Sequence, residues 1–120
     1  MTDLRERIER AFRGHRRTVE RKLDYAAVVE PLLDDLSAVR YQAFSADTVA
    51  EIAKSVKRSR ILKNASVIVA DICRHPDYNL TMMELEPLSD LLYASVTHPT
   101  IALTTDSEQP NLLAVRILAK

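Results

Sequence analysis

Apolar residues recur at helical spacing through the first thirty residues of the chain. Asp3 precedes them, and its short acidic side chain is typical of a helix N-cap. The pattern predicts one long or broken helix from Asp3 to about Val29, with a weak point at Gly14. Its apolar positions are Leu4, Ile8, Ala11, Phe12, Val19, Leu23, Ala26 and Ala27.

Two further helices are predicted before residue 60. Pro31 is tolerated in a first helical turn, and the leucines that follow it predict a helix to about Ala43. Ser45 is a good N-cap for a short helix beyond it. One face of that helix holds Val49, Ile52, Ala53 and Val56.

The segment from Ile61 to Cys73 is ambiguous. Residues 67–69, Val-Ile-Val, favour a strand because they are β-branched. Four apolar residues nevertheless share one helical face over a longer stretch, and we therefore predict a helix. Those residues are Ile61, Ala65, Ile68 and Ile72.

The last forty residues contain a helix and two strands. Thr81 followed by Glu84 fits a capping box, and it predicts a helix that includes Pro87 near its start. Residues 100–105 alternate with a period of two, residues 106–111 are a polar turn, and residues 112–118 are a second apolar run. This pattern predicts a C-terminal β-hairpin.

The predicted fold is therefore mainly α: about five helices in a compact bundle with a C-terminal hairpin, α+β in detail. A chain of 120 residues predicts a single domain, with a helical body at 1–95 and the hairpin at 96–120. The single glycine, Gly14, agrees with helices and excludes glycine-rich phosphate-binding loops. We therefore expect no nucleotide cofactor.

Composition limits the location and the chemistry. Cys73 is the only cysteine, so an internal disulfide and a cysteine-based zinc site are excluded. The first residues are charged and lack the apolar core of a secretory signal, and no apolar run is long enough for a membrane span. We expect a cytoplasmic protein with no membrane partner.

Catalytic groups are sparse along the chain. The densest cluster, Cys73-Arg74-His75-Pro76-Asp77, holds a thiol, an imidazole and a carboxylate, but neighbours on one loop rarely converge. The carboxylates of Asp34-Asp35 and Glu84-x-Glu86 lie near predicted helix starts, where the helix dipole stabilises acidic side chains. We predict no catalytic residue, no metal ligand and no enzymatic activity.

Charge is the most suggestive functional feature. Residues 1–63 hold 14 Lys/Arg and 10 Asp/Glu, whereas residues 64–120 hold 3 and 7. The leading hypothesis is a small non-catalytic protein-interaction module, a regulator or assembly adaptor. Its acidic partner would bind Arg13, Arg16 and Arg17. A homodimer is a further option, through the opposed charges or through an unpaired edge of the last strand.

The alternative is a small DNA- or RNA-binding regulator that uses the basic clusters at 5–22 and 54–63. Its candidate contacts are Arg58, Arg60 and Lys63. Residues 48–62 resemble a helix-turn-helix only weakly, because the expected turn glycine is absent. The sequence pI of about 6.8 is low for a duplex-binding domain.

Overall fold

A computed structural model describes residues 3–13 and 17–120. Within them the chain forms four α-helices and a five-stranded mixed sheet, so the prediction of a mainly helical, five-helix bundle is wrong. The predicted weak point at Gly14 lies outside the described residues. The elements are α1 (Leu4–Arg13), β1 (Thr18–Arg21), α2 (Tyr25–Val28), β2 (Arg40–Ala46), α3 (Val49–Ser59), β3 (Ile68–Arg74), α4 (Met82–Ser95), β4 (Thr100–Thr105) and β5 (Leu113–Ala119).

The strand order across the sheet is β1-β4-β3-β5-β2. The strands β4 and β5 lie where the hairpin was predicted, but they do not pair with each other because β3 lies between them. β3 runs parallel to β4 and antiparallel to β5. A buried strand needs partners on both edges to satisfy its N–H and C=O groups, and this requirement overrides the local hairpin.

The helix predicted for Ile61–Cys73 is wrong, since this segment is a turn followed by β3. Six of the seven residues of β3 are buried, because helices cover both faces of the sheet there. A strand buried on both faces reads as a continuous apolar run and loses its period of two. The weak match to a helix-turn-helix is not realised, because the turn after α3 leads into β3 and not into a second helix.

The N-terminal helix is shorter than predicted. Asp3 caps it as expected, with its carboxylate accepting a hydrogen bond from the Glu6 amide at 2.8 Å. The helix is described from Leu4 to Arg13, and Thr18–Arg21 is a strand and not a continuation of the helix. This strand has no apolar pattern of its own and forms only by pairing with β4.

The predicted helix from Pro31 to Ala43 is also wrong. Two 3-10 helices, Glu30–Asp34 and Leu36–Ala38, lead into β2 instead. Asp35 accepts hydrogen bonds from the amide and the hydroxyl of Ser37, and such local bonds compete with helical ones.

The caps of α3 and α4 are both threonines. Ser45 lies within β2, and the cap of α3 is Thr48 rather than Ser45. Thr81 caps α4 as predicted, accepting from the Glu84 amide at 3.2 Å. The Glu84 carboxylate does not close the capping box, because it accepts a hydrogen bond from the Tyr78 hydroxyl at 2.6 Å. This bond raises the pKa of Tyr78 to about 12.

Two apolar clusters lie on opposite faces of the sheet. α3 and α4 pack on the face that carries Ile68, Ala70 and Ile72 of β3. α1 and the segment from Val29 to Val39 pack on the other face, against Val69 of β3 and neighbouring β5. The alternation of β3 residues between the clusters shows that α1 and α3 are on opposite sides of the molecule.

Candidate binding site at the corner of α1 and β1

A buried polar network occupies the α1 face of the sheet. Asp71, on the central strand β3, has a side chain only 3% exposed. Its Oδ2 accepts hydrogen bonds from Arg17 Nη1 at 2.5 Å and from Arg116 Nη1 at 3.2 Å, and its Oδ1 accepts one from Thr104 Oγ1 at 2.9 Å. Both oxygens of the buried carboxylate are therefore satisfied.

Arg17 joins this network to the end of α1. Its Nη2 donates to the carbonyl oxygens of Arg10, at 3.1 Å, and of Ala11. These carbonyls belong to the last described turn of the helix, and carbonyls at a helix C-terminus need hydrogen-bond donors from outside the helix ladder. One guanidinium therefore caps α1 and ties it to β3.

Burial dominates the electrostatics of the network. The pKa of Asp71 is raised because removal of its charge from water outweighs the stabilisation by Arg17, Thr104 and Arg116. Arg17 is almost as deeply buried, with a side chain 7% exposed. Buried ion pairs of this kind fix the relative positions of the elements that carry them, and they add little net stability compared with an apolar replacement.

A cavity of about 240 Å3 opens beside the network; we name it the corner cavity. Its walls are largely apolar, and its floor includes Asp71 and Thr104. Three cations, Arg13, Arg21 and Lys22, line it and are exposed. Its apolar walls come from Ala11, Phe12, Val19, Leu23, Tyr25 and Ala102.

The three rim cations are not equivalent. Arg13 pairs with Glu30 at 3.1 Å, and its guanidinium lies 4.0 Å from the centroid of the Tyr25 ring. Among the described residues, no carboxylate lies within ion-pair distance of Arg21 or Lys22. The charge available to a ligand is therefore mainly that of Arg21 and Lys22.

The second basic cluster lies at the end of α3. Arg58 is in its last turn, Arg60 follows it with a left-handed φ of 63°, and Lys63 is in the next turn. All three are exposed, and the helix dipole stabilises cations near a helix C-terminus. Since α3 and α1 cover opposite faces of the sheet, the two basic clusters do not form one surface.

The residues predicted to bind an acidic partner lie in different environments. Arg13 is on the rim of the corner cavity. Arg17 lines the cavity, but its guanidinium is engaged by Asp71 and the end of α1. Arg16 lies outside the described residues. The strand edge proposed for a homodimer is not available, because β5 pairs with β3 on one side and with β2 on the other.

The thiol–imidazole–carboxylate cluster is spread over the end of β3. Cys73 is buried in the strand rather than on a helical turn, and burial raises the pKa of its thiol, which disfavours the nucleophilic thiolate. His75 Nδ1 accepts a hydrogen bond from the Asp77 amide at 3.1 Å. In residues 3–13 and 17–120, no group of three or more His, Cys, Asp and Glu could hold a metal ion.

The buried network was not predicted, although the sequence contains a signal for it. Asp71 is the only charge in the apolar run from Ala65 to Cys73, and Arg116 is the only charge in the run from Leu112 to Ala119. A lone charge inside a buried strand needs a partner, so two such charges of opposite sign predict a pair.

No helix in the described part of the chain is long and apolar enough to cross a membrane. Comparison of the sequence with known protein families and with curated proteins found no match.

Proposed function

We propose that this protein is a non-catalytic protein-interaction module, a regulator or assembly adaptor that binds an acidic segment of another protein at the corner cavity. The observation that carries the proposal is the pair Arg21 and Lys22, exposed at the rim of an apolar cavity with no carboxylate partner among the described residues. Carboxylates on the partner would complement these charges. A cytoplasmic location is part of the proposal.

The remaining residues have supporting roles. Arg13 adds a third cation that is already shared with Glu30. Arg17 acts indirectly, because it holds the end of α1 against β3 and so keeps one wall of the cavity in place.

The test is the binding of fluorescein-labelled poly-glutamate, measured by fluorescence anisotropy. Charge reversal at the rim, Arg21→Glu with Lys22→Glu, is expected to weaken binding by about tenfold or more. The matched control is Lys57→Glu with Arg58→Glu, the same change of charge on exposed residues of α3. Equal losses in the two variants, or no binding by the wild-type protein at low salt, would contradict the proposal.

The second candidate function is DNA or RNA binding through Arg58, Arg60 and Lys63. It is favoured by one observation: these cations are exposed, and no carboxylate of the described residues pairs with them. The same two double variants separate the candidates in a titration with duplex DNA across salt concentrations. DNA binding that the α3 variant abolishes and the rim variant preserves would favour this function.

Self-association through the opposed charges of the two chain halves stays a third proposal. Sedimentation velocity at low and moderate salt tests it, because a charge-driven dimer dissociates as salt is added.

A further inference from the structure

β1 is one of the two edge strands of the sheet, and it pairs only with β4. All four of its residues are exposed. Within the described residues, no backbone hydrogen bond reaches β1 from outside the sheet. Its outer edge therefore presents N–H and C=O groups with which an extended chain can pair.

A cavity lies beside β1 on each face of the sheet. The corner cavity is on the α1 face, where it is lined by Val19 and Arg21 of the strand. A second cavity, of about 260 Å3, is on the α4 face, and we name it the α4 cavity. Its lining includes Glu20, Leu80, Met82, Leu85 and Leu103.

The two cavities differ in charge. In the α4 cavity Glu20 is paired with Arg74 at 2.6 Å, which leaves leucines and the 78% exposed Met82 as the groups available to a ligand. In the corner cavity the cations Arg21 and Lys22 have no carboxylate partner within the described part of the chain. The irregular register between Val19 and Arg21 marks a β-bulge at Glu20, a device that redirects side chains at sheet edges.

We infer that β1 binds an extended segment of a partner protein by strand addition, and that this segment alternates acidic with apolar side chains. An added strand lies about 4.8 Å outside β1, and its successive side chains point to opposite faces of the sheet. Its acidic side chains then reach the rim of the corner cavity, and its apolar ones reach Met82 and the α4 cavity. The inference rests on the proposed function and specifies the form of the acidic partner.

The opposite edge strand, β2, also has a cavity beside it, but it is less suited to select an acidic partner. α3 packs against one of its faces, and Phe44 of β2 is buried in that contact. Between its ends, residues 41–45 carry no charge that would select a partner. Charge complementarity therefore favours β1.

The experiment uses the full chain labelled with 15N and a blocked octapeptide in which glutamate alternates with leucine. Binding is expected to shift the amide resonances of Val19–Arg21 and to protect their N–H groups from exchange. A peptide with the same side chains but N-methylated backbone amides is the control, because it keeps the charge and loses the donors. We expect it to bind about tenfold more weakly or worse, since several backbone hydrogen bonds are lost.

Protein variants test the two cavities separately. Arg21→Glu with Lys22→Glu is expected to abolish the preference for the glutamate peptide over one in which lysine replaces glutamate. Met82→Asn, a neutral polar change at an exposed position, is expected to weaken binding of the leucine-containing peptide more than binding of poly-glutamate. Lys57→Glu with Arg58→Glu should alter neither.

The outcomes separate this inference from the proposed function. If the N-methylated peptide binds as tightly as its parent, strand addition is wrong and acidic recognition stands. If the parent peptide does not shift the β1 resonances at about 1 mM, a concentration that reveals even weak binding, strand addition is also wrong. If poly-glutamate fails to bind as well, both proposals fall.

Discussion

The two faces of the sheet are built in different ways. On the face covered by α3 and α4, the buried side chains form one apolar cluster. On the α1 face, the apolar cluster surrounds Val69 and Leu118, and two residues further along β3 the chain places Asp71. The carboxylate of Asp71 meets Arg17 and Arg116 there.

The stability of the two faces therefore depends to different degrees on the exact positions of their side chains. Apolar burial is non-directional and roughly proportional to the area removed from water, so neighbours can adjust when one side chain is shortened. A buried ion pair stabilises the fold only while every partner is in position. The α1 face is therefore the less tolerant one, and it is also the face that opens into the corner cavity.

The largest effect is expected from Asp71→Ala. It leaves the buried Arg17 and the half-buried Arg116 without their carboxylate, at an expected cost of about 3–5 kcal/mol in the free energy of unfolding. Urea unfolding followed by circular dichroism measures it. Simultaneous replacement of Asp71 by Leu and of both arginines by Met should recover most of the loss. A single variant as stable as the wild type would show that the network is not structurally required.

On the opposite face, Leu92→Ala tests the apolar cluster. Leu92 of α4 is fully buried, and its truncation is expected to cost about 2–5 kcal/mol, depending on how far α4 can relax into the cavity left behind. The conservative change Ile72→Val should cost only about 0.5–1.5 kcal/mol. A loss of stability that grows with the size of the truncation would distinguish this face from the network at Asp71, where removal of a single partner is expected to cost the full effect.

A smaller effect is expected from Thr104→Val, which keeps the shape of the side chain and removes the hydroxyl that donates to Asp71. A hydrogen bond to a charged group contributes about 1.5–3 kcal/mol, and that is the expected loss. Thr100→Val is the control on the same strand, because no side-chain hydrogen bond joins Thr100 to any described residue. Equal losses in both variants would mean that the effect belongs to β4 and not to Asp71.

The smallest effect is a difference in pH dependence between two carboxylates. Burial raises the pKa of Asp71 above its ordinary value of 3.8, so its neutral form is favoured by folding, and this contribution is lost as pH rises through the folded pKa. The hydrogen bond from Arg74 lowers the pKa of Glu20 below 4.5, so its contribution is present above that value and is lost as pH falls.

Urea unfolding at a series of pH values separates the two carboxylates. Asp71→Asn should remove a decline in stability that begins above about pH 4, and Glu20→Gln should remove an increase in stability that lies below about pH 4.5. Because Glu20 is partly exposed, we expect less than about 1 kcal/mol from its pair. If both substitutions change the slope of the unfolding free energy against pH in the same direction, the causes assigned to the two pKa shifts are wrong.

Local signals in the sequence predicted several elements correctly. The cap at Asp3, the cap at Thr81 and the strand at residues 100–105 are all where the pattern places them. Each depends on neighbouring residues, since a capping side chain bonds an amide only two or three residues away and an alternating strand shows its buried face directly. By contrast, β1 and β2 could not be read from the pattern, because pairing with a distant strand stabilises them.

The candidate site was predicted only in part. The concentration of basic residues near Arg13 is visible in the sequence. The sequence does not show that Arg17 is buried, or that Arg21 and Lys22 have no carboxylate partner among the residues that the structure describes. Those distinctions depend on which carboxylates the fold brings close, and Asp71 is 54 residues from Arg17 in the chain.

The sequence by itself determined where helices α1 and α4 begin, that the chain has an apolar core, and that its basic residues concentrate in the first half. These properties follow from composition and from contacts within a few residues. Only the tertiary structure decided that β3 separates β4 from β5, that the buried charges pair, and that β1 forms an open edge between two cavities. The physical reason is the same in each case: a buried backbone or charge must find its partner wherever the chain provides one.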